Sequence, residues 1–259
     1  MKYCKKLKLS VFSIFFLILF PIMSHAAYKE IDVSKGGTIR GKVLFRGELP
    51  HNAMEKISIS KNPEVCGEGF REVMWIDVRN GALRGTFVFL DKVREGKKWP
   101  APEKANYMVD QKNCRFIPWA QVVKRGPLIV RNSDNILHNI NMREMIGVEK
   151  KGRKPVKRSL FNFGQPEMGD IEKMIKGGRS PYLSVNCEAH NFMFGFMLAP
   201  EHPYAVVVND EGSYAIDNVP PGEYTLKAWH PRLGVKKVEI TVPAEGRVES
   251  NFEFSKQEK

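Results

Sequence analysis

Seven consecutive residues, Cys187-Glu188-Ala189-His190-Asn191-Phe192-Met193, put a thiolate, an imidazole and a thioether on one short stretch. No other feature restricts the fold of this 259-residue chain so tightly. These are donors of the kind copper takes, and two histidines, one cysteine and a weakly held axial methionine make the trigonal set of a blue-copper centre. The stretch lacks one histidine. A single short loop does not close such a plane comfortably, so the missing imidazole should come from a distant strand. His138 is the best candidate: it follows the turn-rich run Asn132-Ser133-Asp134-Asn135 and stands where a strand begins.

From Phe116-Ile117-Pro118 through Val122-Val123-Lys124-Arg125-Gly126 and Leu128-Ile129-Val130-Arg131-Asn132 to His138-Asn139, then to Cys187, His190 and Met193, the order of residues resembles the cupredoxins. The resemblance implies a cupredoxin-like Greek-key β-sandwich over residues 105–203, with copper held by His138, Cys187, His190 and Met193. Met197 is a rival axial ligand, and the spacing of short-loop cupredoxins points to Met193. The resemblance also implies that Asn139 braces the ligand loop by hydrogen bonding and that an electron enters or leaves near His190. Two positions depart from the pattern. The run Pro181–Asn186 lacks the glycine-aromatic phrase common before the ligand loop, and Asn191 stands where many relatives have proline.

Lys2, Lys5, Lys6 and Lys8 precede the apolar run Val11–Phe20, and Ser24-His25-Ala26-Ala27 supplies small residues beyond it. This is the pattern of a secretory signal peptide over residues 1–26, and its loss would bring the formal charge from +12 to +8. The expected location is the periplasm or another exported compartment. The mature chain then keeps Cys66, Cys114 and Cys187, an odd number, so in an oxidising compartment one is free, metal-bound or intermolecular. We expect a Cys66–Cys114 disulfide, which leaves Cys187 for copper. The sequence permits the other two pairings, and either would consume Cys187.

The remainder reads as strands, with 42% hydrophobic content enough to fill two small cores. Ile39, Val43 and Phe45 alternate with charged residues, and Thr86–Leu90 is apolar on both faces. Residues Tyr204–Val208, Ser213–Ile216 and Tyr224–Trp229 are separated by the turns Asn209-Asp210-Glu211-Gly212 and Pro220-Pro221-Gly222. The phrase Asp210–Ile216 followed by Val219–Leu226 resembles the carboxypeptidase regulatory-like fold, a small transthyretin-like β-sandwich, over residues 204–259. Gly37–Val43 resembles the first strand of that fold. Residues 27–104 are therefore N-terminal strands that either pair with the C-terminal sandwich, making the cupredoxin unit an insertion, or form a separate domain. Such two-part chains are similar to periplasmic proteins labelled methylamine utilization proteins. One short helix is expected over Pro166–Lys176, from Met168, Ile171, Met174 and Ile175 at helical spacing, early acids, late lysines and the Gly177-Gly178 stop.

The fold class expected is all-β, and the cupredoxin resemblance implies a copper electron-transfer protein and not an enzyme. A catalytic copper cluster needs more histidines than His51, His202 and His230, which are scattered. No serine-nucleophile or metalloprotease phrase occurs, and nucleic acid is not an expected partner in this compartment. The basic segment 150–158 is a candidate docking patch for an acidic redox partner such as a cytochrome or dehydrogenase. The rival reading is a non-catalytic binding or structural module, or a copper storage or delivery protein, on the same fold.

Overall fold

The computed structural model describes residues 27–101, 107–150 and 154–256. The signal segment expected over residues 1–26 lies outside them, as do residues 151–153 of the basic run. The described chain is built almost wholly of β-strands, with one helical turn at Pro63–Cys66. No helix among these residues is long and apolar enough to cross a membrane.

Strands from both ends of the chain share two sheets. One has the order Ala205–Val207, Phe87–Leu90, Gly222–His230, Gly234–Val242. In the other, Gly37–Arg46 pairs with Ser213–Val219, Ala82–Leu83, Arg247–Glu249 and Phe252–Ser255. The alternation in Gly37–Arg46 explains the packing: Ile39, Val43 and Phe45 are buried while Arg40, Lys42 and Arg46 face water. Gly41 is needed at a close approach, since a Cβ there would run into the Ser250 carbonyl, which accepts the Tyr214 hydroxyl at 2.6 Å.

Between these strands in the sequence lies a second β-sandwich. Its smaller sheet runs Phe116–Ile117, Met108–Gln111, Gly126–Asn132, Gly169–Ile175. Its larger sheet runs Ala120–Val122, Phe194–Leu198, Tyr182–Asn186, His138–Ile146, Val156–Gln165. Leu128, Val130, Ile140, Met142, Leu183 and Val185 fill the space between the sheets.

The helix expected over Pro166–Lys176 is not formed. Gly169–Ile175 is an edge strand, antiparallel to Gly126–Asn132 in unbroken register from Asn132↔Gly169 to Gly126↔Ile175. Met168 and Met174 are exposed and only Ile175 is fully buried, so the residues that suggested an apolar helical face do not share one. Cross-strand pairing outweighs local helix preference here, and Gly169, at φ 139°, suits the strand start better than a helix interior.

Trp229 fills the junction between the two sandwiches, stacked on Phe87 at 4.9 Å and edge-on to Tyr182 at 4.7 Å. Beside it Glu149 accepts from the Tyr182 hydroxyl at 2.8 Å and from Lys227 at 2.9 Å, and pairs with Lys237. Burial works to raise the Glu149 pKa, but these donors overcome it and hold the carboxyl near pKa 2. A depressed carboxylate stabilises above its unfolded pKa and loses that contribution as pH falls through the folded value. Glu149→Gln should therefore cost on the order of 1 kcal/mol at pH 7. It should also flatten the stability profile between the ordinary Glu value of 4.5 and about 2, as followed by urea unfolding at several pH values.

A hairpin of Met54–Ser58 and Phe70–Met74 packs over one end of the inner sandwich. Trp75, which follows it, lies tilted against Phe194 at 4.3 Å, and the Arg232 guanidinium lies 3.9 Å over the Trp75 ring. The Cys66–Cys114 disulfide expected above is formed and ties the helical turn in this hairpin to the inner sandwich.

Candidate metal centre

Three strand ends bring the predicted ligands together. His138 is the first residue of its strand, Cys187 follows the last residue of Tyr182–Asn186, and Met193 precedes Phe194–Leu198. Asn141 is opposite Asn186, and Asn186 is opposite Phe194, so all three ends lie at one edge of the larger sheet. The loop closes on itself through Cys187 N–H to the Met193 carbonyl at 3.2 Å and Met193 N–H to the His190 carbonyl at 3.0 Å. Donor atoms of His138, Cys187 and His190 all fall within 4.8 Å of one another. Their residues are 0%, 2% and 2% exposed. Met193 and Met197 are both buried in the adjoining core, and Met193 has its backbone in the loop closure whereas Met197 is paired with Leu183 in the sheet.

The imidazoles are oriented from outside. His138 Nε2 donates to Asp134 Oδ2 at 2.8 Å, and His190 Nε2 donates to Asn62 Oδ1 at 3.1 Å. The Asn62 amide is fixed the right way round for this, because its Nδ2 donates to Glu64 at 3.2 Å. With Nε2 protonated on both rings, the two Nδ1 atoms face each other at 3.2 Å, and Cys187 Sγ lies 3.6 Å from His190 Nδ1. Two facing lone pairs require a proton or a metal ion between them. Burial, the neighbouring His138 and Lys61 together hold His190 down to about pKa 4, so its ring is neutral near pH 7.

The donor set fits a first-row ion. Metal–nitrogen and metal–sulfur lengths of about 2.0 and 2.3 Å in a trigonal plane put donor atoms about 3.5–3.7 Å apart, close to the 3.2 and 3.6 Å here. Burial pushes the Cys187 thiol up, and backbone N–H groups of Asn139, His190 and Ala189 pull it down. Asn139 N–H is 3.3 Å from the sulfur, and the Asn139 side-chain oxygen accepts from Glu188 N–H at 3.3 Å, so Asn139 touches the ligand loop twice.

Two contributors were missed from sequence. Asp134 also accepts from the N–H groups of Asn113 at 2.8 Å and Cys114 at 2.9 Å. Its position four residues before His138, within a polar turn, was the available signal. Asn62 caps His190 from a distance of 128 residues in sequence, and its only local mark is a left-handed backbone before Pro63. It covers the His190 edge through which the resemblance has an electron pass. His202 and His230 lie elsewhere, against Tyr204 and Phe254 in the outer sandwich. The part of the basic segment from Val156 onward is remote as well. Val156 pairs with Ile146 while Gln165 pairs with His138, so the two ends of the strand are about 26 Å apart at 3.3 Å per residue.

Comparison with known proteins gives partial matches. A family model described as polysaccharide lyase family 4, domain II, matches residues 200–250. No curated protein matches the chain. A purple cupredoxin from Nitrosopumilus maritimus aligns at 14% identity and TM-score 0.27, over 36% of this chain and 98% of its own. A reduced amicyanin variant aligns at 19% identity and TM-score 0.25, over 36% and 80%. A copper-containing nitrite reductase from Thermus scotoductus aligns at 16% identity and TM-score 0.27, over 44% of this chain and only 25% of its own.

Proposed function

We propose that this is an exported type 1 copper protein that transfers one electron to or from a redox protein of the cell envelope and catalyses no reaction of its own. The observation that carries this reading is the convergence of His138 Nδ1, His190 Nδ1 and Cys187 Sγ, each ring held from behind by an acceptor on its Nε2. His138, Cys187 and His190 would hold copper, with Met193 as the axial donor. Copper in such a set takes up and gives back a single electron. The chain's part is to keep the donors still: Asp134 and Asn62 fix the imidazoles, and Asn139 fixes the sulfur and the loop. The basic segment 150–158 would steer a partner such as a cytochrome or dehydrogenase by charge, and its residues 156–158 pair with the end of the strand far from His138.

The test is spectroscopic. Mature protein given copper(II) should develop an intense thiolate-to-copper absorption in the visible, and Cys187→Ser and His138→Ala should each abolish it. Colour that survives either substitution would refute the ligand assignment. One observation favours storage or delivery as a second reading: all three donors are buried and Asn62 covers His190. Asn62→Ala separates the two, because it should speed electron exchange with a soluble cytochrome if the cap limits access and leave it unchanged if the site is not built to cycle.

A further inference from the structure

The disulfide lies against the proposed metal centre. A ring nitrogen of His190 and the sulfurs of Cys66 and Cys114 all fall within 4.8 Å of one another, and all three residues are buried. Both half-cystines are also linked to the groups that orient the imidazoles. Cys66 N–H donates to the Asn62 carbonyl at 2.8 Å, and the Asn62 side chain holds His190. Cys114 N–H donates to Asp134, whose carboxylate holds His138. Positive charge is concentrated here too. The Arg71 guanidinium donates to the Cys66 carbonyl at 2.6 Å and the Cys114 carbonyl at 3.4 Å, lies 5.1 Å over Phe192, and has Arg115 as a neighbour.

We propose that, when the Cys66–Cys114 bond is reduced, its two thiolates and His190 form a second copper site, selective for the cuprous ion, beside the Cys187 centre. Two soft thiolates and an imidazole in a buried, low-coordinate setting match cuprous chemistry, and the one carboxylate beside them, Asp134, is already engaged by the N–H groups of Asn113 and Cys114 and by His138. Two thiolates and one monovalent cation leave a net negative charge, which Arg71 and Arg115 offset. A neutral imidazole carries one lone pair, so His190 serves one site at a time, and copper held by the two thiolates takes it from the Cys187 centre.

Reduction requires a dithiol reductant. One of its thiolates attacks the more accessible sulfur, Cys66, and the Cys66–Cys114 bond breaks with Cys114 leaving as thiolate. The reductant's second thiolate then attacks the mixed disulfide and releases Cys66. The reductant ends as a disulfide, two electrons have passed to the cysteines, and any proton on a cysteine is released as copper binds. Coupling follows from the hydrogen bonds: moving Cys66 and Cys114 onto a metal shifts Asn62 and Asp134, and through them both imidazoles. The inference shares His190 with the centre proposed above but does not use Cys187, so the two can fail separately.

The experiment uses the mature protein carrying Cys187→Ser, with and without anaerobic reduction by a phosphine, titrated with cuprous ion against a chromogenic cuprous chelator. The reduced form should withhold about one copper per chain and the oxidised form none, and X-ray absorption should count about two sulfur neighbours per copper. Adding Cys66→Ser should abolish the difference. Equal retention by both forms, fewer than two sulfur neighbours, or loss of the β-rich circular dichroism on reduction would each overturn the proposal. The absorption count needs no substitution at Cys66, so it decides the matter even if Cys66→Ser does not fold. The visible band of the oxidised wild-type protein reports independently on the Cys187 centre.

Discussion

Asp134→Ala should destabilise the protein by about 3–4 kcal/mol, and the same change should weaken copper binding by about 10–100-fold. Asp134 is 5% exposed and accepts from three donors: the N–H of Asn113, at the exposed side, and the buried Cys114 N–H and His138 Nε2–H. Truncation leaves the Cys114 N–H and the His138 Nε2–H without an acceptor in a site closed to water, and the cost of orphaned buried donors exceeds what their bonds contribute in the native state. His138 then loses the contact that fixes its tautomer and aims Nδ1 at His190. Urea unfolding measures the first effect and competition with a copper chelator the second. Asp134→Asn should fall between the two, since an amide offers one acceptor where the carboxylate offers two. Wild-type copper affinity in Asp134→Ala would mean that His138 is not a ligand.

Trp229→Ala should cost about 3–5 kcal/mol, the range for emptying a large aromatic site in a packed core. Trp229 is fully buried between Phe87, Tyr182 and Phe196, where the two sandwiches meet. Its indole N–H has no hydrogen-bond partner among the described residues, so Trp229→Phe forfeits volume and no polar contact and should cost much less. Denaturant midpoints for the pair separate packing from polarity. The visible copper band should keep its position in both, because the cluster around Trp229 is distinct from the core that holds Cys187 and Met193.

The cluster of Cys187 and His190 with His138 was legible because Cys187, His190 and Met193 are neighbours in sequence, and a three-donor loop is itself a statement about geometry. The C-terminal hairpins were legible for a related reason: the turns Asn209–Gly212 and Pro220–Gly222 mark where strands must stop, and Ser213–Val219 and Gly222–His230 begin where those turns end. Gly169–Ile175 was misread because seven residues with apolar side chains at Ile171, Met174 and Ile175 satisfy helical spacing and fail alternation only at Met174, whose side chain faces water. The charges that fit a helix dipole instead serve cross-strand pairing, as where Asp170 holds Arg131 at 2.7 Å. Asn62 was illegible in principle, since a lone asparagine in a turn carries no sign of an imidazole 128 residues away.

The order of the cysteines along the chain has a consequence for how the protein is made. Cys66 and Cys114 both emerge before Cys187 during synthesis. Apart from Cys4, in the segment expected to be a signal peptide, an oxidant that met the growing chain would find only one pair to join, and that pair is the one bonded in the structure. The strand pairings that hold Gly37–Arg46 are different, because they wait for Ser213–Val219 and Phe252–Ser255 at the other end of the chain. The inner sandwich, complete by Leu198, can thus close around Cys187 first, and this free thiol is sheltered from wrong partners by timing as well as by burial.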